Sequence, residues 1–144
     1  MTNPKPIILF DLDGTLIDSA PDLVGTLNII LKRHGRTTLT ISAVKKLVGN
    51  GARALLERGF KETGAPAENL DALTVEFIET YVPNCAVLSR PFSGVIETLD
   101  TFANSGYRMA VCTNKPQAPS ETILTELGLM QYFEVVVGGD FFPM

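Results

Sequence analysis

Three short apolar runs, unevenly spaced along the chain, constrain its fold more than any other feature. The first is Pro6, Ile7, Ile8, Leu9 and Phe10; the second covers 108–113 around Met109, Ala110 and Val111; the third covers 133–138 around Val135, Val136 and Val137. A continuous apolar run of this length is the pattern of a strand covered on both faces in a parallel sheet. Between the last two runs, 116–127 reads as a helix stopped by Gly128, the position where helices commonly end in a left-handed residue. Another helix over 94–103, ending near Gly106, precedes the second run. Strands alternating with helices predict an α/β fold on a doubly wound parallel sheet.

The stretch from Asp18 to Arg90 has a different character. Ser19, Ala20, Pro21 and Asp22 have the spacing of a capping box, with proline in the tolerated first turn. They open a helix with Leu23, Leu27, Ile30 and Leu31 at helical spacing, closed by Gly35. Further helices are predicted over 42–48, 52–63 and 69–86, and no strand-like alternation occurs in the stretch. This reading gives a helical cap domain over 18–90. It is inserted into an α/β core made of 1–17 and 91–144, with linkers near 16–18 and 89–92.

Composition narrows the function classes. The chain has 144 residues, 45% of them hydrophobic and 19% charged, a profile that supports a packed core rather than a disordered tail. A net charge of −4 without a Lys/Arg cluster argues against nucleic acid as a partner. The apolar runs are too short to span a bilayer, and no signal-peptide stretch opens the sequence. A cytoplasmic protein with no membrane association is therefore expected. Cys85, in a helical context, and Cys112, in a strand read as buried, are expected to be free thiols.

In an open α/β sheet, ligands bind beyond the carboxyl ends of the strands. Asp11 and Asp13 stand just past the first run. Two carboxylates aimed into one crevice repel each other and attract a hard cation such as Mg²⁺. One aspartate can attack phosphorus, and the other can protonate the leaving alkoxide and then deprotonate water. Gly14 permits a sharp turn and Thr15 supplies a hydroxyl. Taken alone, Asp11, Leu12, Asp13 and Gly14 also suit a polar turn closing a strand.

The full string from Ile8 to Leu16, Ile-Leu-Phe-Asp-Leu-Asp-Gly-Thr-Leu, is more specific and resembles motif I of the haloacid dehalogenase superfamily. That resemblance implies a Rossmann-type parallel core with an inserted cap. It also implies Mg²⁺-dependent hydrolysis of a small phosphorylated metabolite through an aspartyl-phosphate. Asp11 would be the nucleophile and Asp13 the general acid/base, both with metal contacts.

Thr113, Asn114 and Lys115 follow the second run, and Pro116 opens a helix. A hydroxyl and backbone N–H groups there suit a phosphate oxygen, although an ordinary strand-to-helix cap has the same form. By the resemblance, Thr113 matches motif II and, with Asn114, orients the phosphoryl group. The Thr-Asn-Lys form is that of phosphoglycolate phosphatase-like members, whose catalytic lysine comes from a later motif, so Lys115 is not given that role. In the cap, Gly49 and Gly51 let a loop approach a ligand closely, and Arg53 beside a helix N-terminus favours an anion. A flexible turn with a solvated arginine is the competing reading. The resemblance favours substrate contact, with the carboxylate of a small acid such as phosphoglycolate. His34 reads as a helix C-terminal residue, Asp18 as part of a hinge, and Asp140 as a turn aspartate.

The family also needs a lysine beyond the third strand and an acidic pair beyond the fourth, and the sequence ends at Met144 before either. The expectation is therefore an N-terminal portion of a phosphatase with impaired activity, its sheet left partly uncovered, and a homodimer through the uncovered edge. A phosphomutase or sugar phosphatase of the same superfamily, and a non-catalytic phosphate-binding remnant, are the alternatives. Dehalogenation is disfavoured because a halide needs no proton from Asp13.

Overall fold

A computed structural model describes residues 3–143. Strand β1 (Ile7–Phe10) leads through a tight loop into β2 (Ile17–Asp18). Four helices follow: α1 (Ala20–Arg33), α2 (Ile41–Lys45), α3 (Gly51–Glu62) and α4 (Leu70–Tyr81). The chain then returns through β3 (Arg90–Pro91), α5 (Val95–Asn104), β4 (Arg108–Cys112), α6 (Gln117–Glu126) and β5 (Val135–Val137). The predicted α/β class and parallel sheet are observed, with strand order β1-β4-β5 and both pairings parallel.

Register fixes where chemistry can happen. Phe10 pairs with Val111, and Cys112 with Val137. Asp11, Thr113 and Gly138 therefore leave the sheet at the same carboxyl edge. Phe10 packs on Phe102 of α5 and on Phe133, with ring centroids 6.3 and 6.1 Å apart. The expectation that β1 is covered on both faces is corrected. Alternation turns Ile7 and Leu9 to the opposite side, where they are 41% and 65% exposed. Only the central strand β4 buries a continuous apolar run, Met109, Ala110 and Val111.

In the helical part, α1 buries Leu23, Leu27, Ile30 and Leu31, the spacing read from the sequence. It packs against α2, α3 and α4, and each fully buried leucine contributes about 1.5–3 kcal/mol. Thr40 caps α2 through Ala43 N, and Asn69 caps α4 through Ala72 N. Helix α4 stops well short of 86. Pro83 has no N–H to continue the ladder, and Val82–Asn84 tightens into a 3-10 turn.

The two linkers pair with each other. Ile17 pairs with Pro91 and Asp18 with Arg90, so the two crossings form an antiparallel ribbon. Phe92 N–H extends it to Leu16 C=O at 3.1 Å. Two-residue strands are too short to show periodicity. Cys85 is buried, whereas Cys112, at the open end of β4, is exposed rather than buried; both are free. Among the described residues, no helix is long and apolar enough to cross a membrane.

Candidate active site

The loop after β1 is wound around one carbonyl. Leu12 C=O accepts from the N–H groups of Thr15, Leu16 and Ile17 at 3.0–3.2 Å. Gly14 takes the left-handed φ of 78° that this winding requires. Leu12 itself is fully buried, which anchors the loop and leaves Asp11 and Asp13 on either side of it. Asp11 is exposed; its Oδ1 accepts from Leu12 N–H at 2.7 Å.

Asp13 is held from two directions. Ser19 Oγ donates to its Oδ1 at 2.6 Å. Lys115 Nζ donates to Oδ1 and Oδ2 at 3.1 and 3.2 Å. Sequence reasoning left Lys115 without a role, yet its side chain is only 3% exposed against 13% for Asp13. The Tyr81 hydroxyl oxygen accepts from Nζ at 2.7 Å, and Nζ lies 4.4 Å from the Tyr81 ring centre. Burial pushes the Lys115 ammonium below the ordinary lysine range, while the Asp13 charge opposes that shift. Burial likewise pushes the Tyr81 hydroxyl well above its usual value, with the Asp13 charge adding to the effect. The apolar Lys115 stem and the aromatic pair Phe77–Tyr81, stacked at 5.6 Å, make the surroundings of this ion pair dry.

Asp13 and Lys115 form one wall of a narrow cleft with about 20 Å³ of enclosed space. The opposite wall is helical and apolar: Val48, Leu55, Phe77 and Ile78, with Gly49 and Gly51 of the expected cap loop. Gly51 has φ 85°, and a Cβ there would meet Asn114 O at 2.9 Å. Asn114 Nδ2 donates to Gly49 C=O at 3.0 Å. The two glycines are therefore where the helical part touches the strand-end loop. Asp11 does not line this cleft; it stands at the solvent side.

Thr113 is buried, and its hydroxyl accepts from Lys115 N–H at 3.1 Å, leaving its own proton to donate. Three expectations need correcting. The N-terminus of α6 does not present an open anion site, because Asp140 Oδ1 accepts from Gln117 N–H at 2.6 Å. Asp140 is thus a capping aspartate. Arg53 does not face the cleft; it is 57% exposed and pairs with Asp71 of α4. The capping box at Ser19 and Asp22 is also not formed, because Ser19 serves Asp13 while Asp22 accepts from Leu88 and Ser89.

The donor set suits Mg²⁺ in part. Both Asp13 oxygens carry the Lys115 ammonium where a cation would otherwise sit. Of the two carboxylates expected to bind metal, Asp11 is the one with an oxygen left over. One carboxylate with waters and phosphoryl oxygens is an ordinary Mg²⁺ arrangement. Among the described residues, no cluster of three metal-ligating side chains occurs.

Residues 8–143 match the family described as haloacid dehalogenase-like hydrolase. The chain is 49% identical over 138 residues to a phosphoglycolate phosphatase of Caulobacter vibrioides, covering 94% of this chain and 58% of that one. It is 42% identical over 140 residues to a phosphoglycolate phosphatase of Agrobacterium fabrum, covering 96% and 60%. A crystal structure of a predicted phosphoglycolate phosphatase from Haemophilus somnus superposes with a TM-score of 0.86 at 34% identity, covering all of this chain and 66% of that one. The chain thus spans about 60% of the length of the curated relatives it matches.

Proposed function

Because this chain belongs to the haloacid dehalogenase-like hydrolase family, we propose that its site hydrolyses a small phosphate monoester through Asp11. The reading rests on one observation: an exposed carboxylate with an unused oxygen stands beside a second carboxylate that is held by a buried ammonium. Asp11 attacks phosphorus, forming an Oδ–P bond as the ester P–O bond breaks. Asp13 gives its proton to the leaving alkoxide oxygen, then takes one from the water that hydrolyses the aspartyl-phosphate. The Thr113 hydroxyl donates to a phosphoryl oxygen, and Asn114 positions the glycine loop over it. Mg²⁺, held through Asp11, would neutralise phosphoryl charge during transfer.

The relatives named phosphoglycolate phosphatase make phosphoglycolate the substrate of choice for this proposal. With one spare carboxylate among the described residues, the metal is expected to bind weakly and turnover to be slow. That same observation favours a second reading, a phosphate-binding site without turnover. Beryllofluoride with Mg²⁺ separates the readings, because it mimics the phosphoryl group on an aspartate. Fluorine NMR should show a bound species that disappears in Asp11→Asn. Absence of that species in the unmutated chain would defeat the phosphatase proposal.

A further inference from the structure

We infer that Lys115, seated by Tyr81, takes the cation place on Asp13 and so confines a divalent cation to Asp11. This rests on the phosphatase reading above in taking Mg²⁺ as the cation. Two aspartates two positions apart at one strand end would ordinarily share a hard cation through their oxygens. They must be kept apart if Asp13 is to carry protons, because an oxygen bound to metal is not free to take one.

Lys115 Nζ lies 3.1 and 3.2 Å from the two Asp13 oxygens and 2.7 Å from the Tyr81 hydroxyl oxygen. An ammonium has three protons to donate, and these are three acceptors. The side chain is 3% exposed, so water does not replace any of them. Tyr81 supplies the acceptor for the third proton, and a buried donor left without one is costly. Its ring adds a second hold, with the centre 4.4 Å from Nζ. Tyr81 ends α4, is buried and stacks on Phe77, so the ammonium is seated from a packed helix end. Ser19 Oγ donates to Asp13 Oδ1 as well.

Charge and space work in the same direction. Paired with its ammonium, the Asp13 carboxylate is half of a neutral pair, which attracts a divalent cation far less than a bare carboxylate does. Displacing Lys115 would leave an ammonium buried without an anion, which is strongly unfavourable. The enclosed space of about 20 Å³ beside the pair has room for about one water, not for a hydrated ion. Asp11 carries none of these restraints. It is exposed, and its Oδ1 accepts from the neighbouring Leu12 N–H, which leaves Oδ2 open. Through Tyr81 the helical part thus sets which carboxylate the metal uses. Lys115 and Tyr81 are positioning residues, acting on the site through Asp13.

Mg²⁺ titration of the whole chain, read by NMR at the side-chain carboxyl carbons, follows each aspartate separately. In the parent chain the Asp11 signal should move with Mg²⁺ while the Asp13 signal stays nearly still. In Lys115→Met both signals should move together. The Mg²⁺ dissociation constant should then fall at least about tenfold, because one repelling charge is lost and one carboxylate is freed. Tyr81→Phe keeps the ring and removes the acceptor, and should give a partial Asp13 shift with a gain of about two- to threefold. If Lys115→Met does not fold, the parent and Tyr81→Phe decide. Equal shifts at Asp11 and Asp13 in the parent, no shift at Asp11, or an Asp13 signal that stays still in the variants overturns the inference. Beryllofluoride loading is scored separately. Mg²⁺ confined to Asp11 without loading keeps this division and removes the phosphatase reading; loading with Mg²⁺ on both carboxylates does the reverse.

Discussion

Asp22 Oδ2 accepts two hydrogen bonds from Ser89, from its N–H at 2.8 Å and from its hydroxyl at 2.7 Å. Leu88 N–H donates to the same oxygen at 2.9 Å. Asp22 lies in the first turn of α1 and Ser89 immediately before β3, so the contact ties the outgoing crossing to the returning one. Ser19, three residues earlier, holds Asp13 at 2.6 Å. The clasp between the crossings and the hold on Asp13 thus both start from the N-terminal end of α1.

Removing that clasp should be costly. Asp22 is buried at 7% exposure and Ser89 at 0%. Asp22→Ala strands three donors, and charge-assisted bonds of this kind are worth about 1.5–3 kcal/mol each before relaxation. A loss of about 3 kcal/mol in urea denaturation is expected. Asp22→Asn keeps an acceptor oxygen and should cost less than half as much. A loss below about 0.5 kcal/mol for the alanine variant would show that the crossings are held by other contacts.

Two glycine substitutions should move stability in opposite directions. Gly51 has φ 85°, and a Cβ there would approach Asn114 O to 2.9 Å. Gly51→Ala should destabilise by about 1–3 kcal/mol through backbone strain, and it should also raise amide exchange at Asn114. Gly25 sits in α1, exposed, and a methyl added there would meet nothing within 4 Å. Gly25→Ala should stabilise by about 0.5–1 kcal/mol from helix propensity alone. Thermal melts of the pair check both signs, and a common sign would refute the argument.

The sequence was legible where the signal was local. Strands β1, β4 and β5 announced themselves as apolar runs, and Asp11 and Asp13 as carboxylates at a strand end. The unread features are tertiary. Lys115 acquires its place from Asp13, 102 positions away along the chain, and nothing in Thr113, Asn114 and Lys115 encodes that partner. Ser19 and Asp22 have the spacing of a local cap, but buried long-range donors and acceptors outcompete the helix end for them. Arg53 was misplaced for the same kind of reason, since Asp71 competes for its guanidinium. Ile7 and Leu9 are as apolar as Met109 and Val111; the difference in burial comes from strand order, which no single run contains.

Stability of the helical part should depend on acidity through Glu76. Its carboxyl is held below the usual value of 4.5, first by the hydrogen bond with His34; burial opposes that, and the Arg33 hydrogen bond and the two neighbouring charges add smaller lowering effects. A carboxyl depressed on folding binds fewer protons in the native state, so its contribution is fully present above about pH 4.5 and is lost as pH falls through the lower folded value. Glu76→Gln should therefore lower the urea midpoint near neutral pH. The gap between variant and parent should close in acid. A gap independent of pH would mean that packing of the Glu76 stem, rather than its charge, sets the effect.

The Asp13–Lys115 pair should respond unequally to loss of its two members. Asp13 keeps Ser19 and is 13% exposed, so Lys115→Met leaves a carboxylate with a hydroxyl donor and some water. Lys115, at 3% exposure, keeps only the neutral Tyr81 hydroxyl oxygen when Asp13 is removed, with no anion to balance it. Replacing a buried ion with an apolar side chain of similar volume is often neutral or stabilising, whereas orphaning its partner costs about 3–5 kcal/mol. Asp13→Ala should therefore be the more damaging single change, and adding Lys115→Met to it should recover most of the loss. A double-mutant cycle in urea measures that recovery directly. Additive losses would show that the ammonium reaches solvent or another anion once Asp13 is gone.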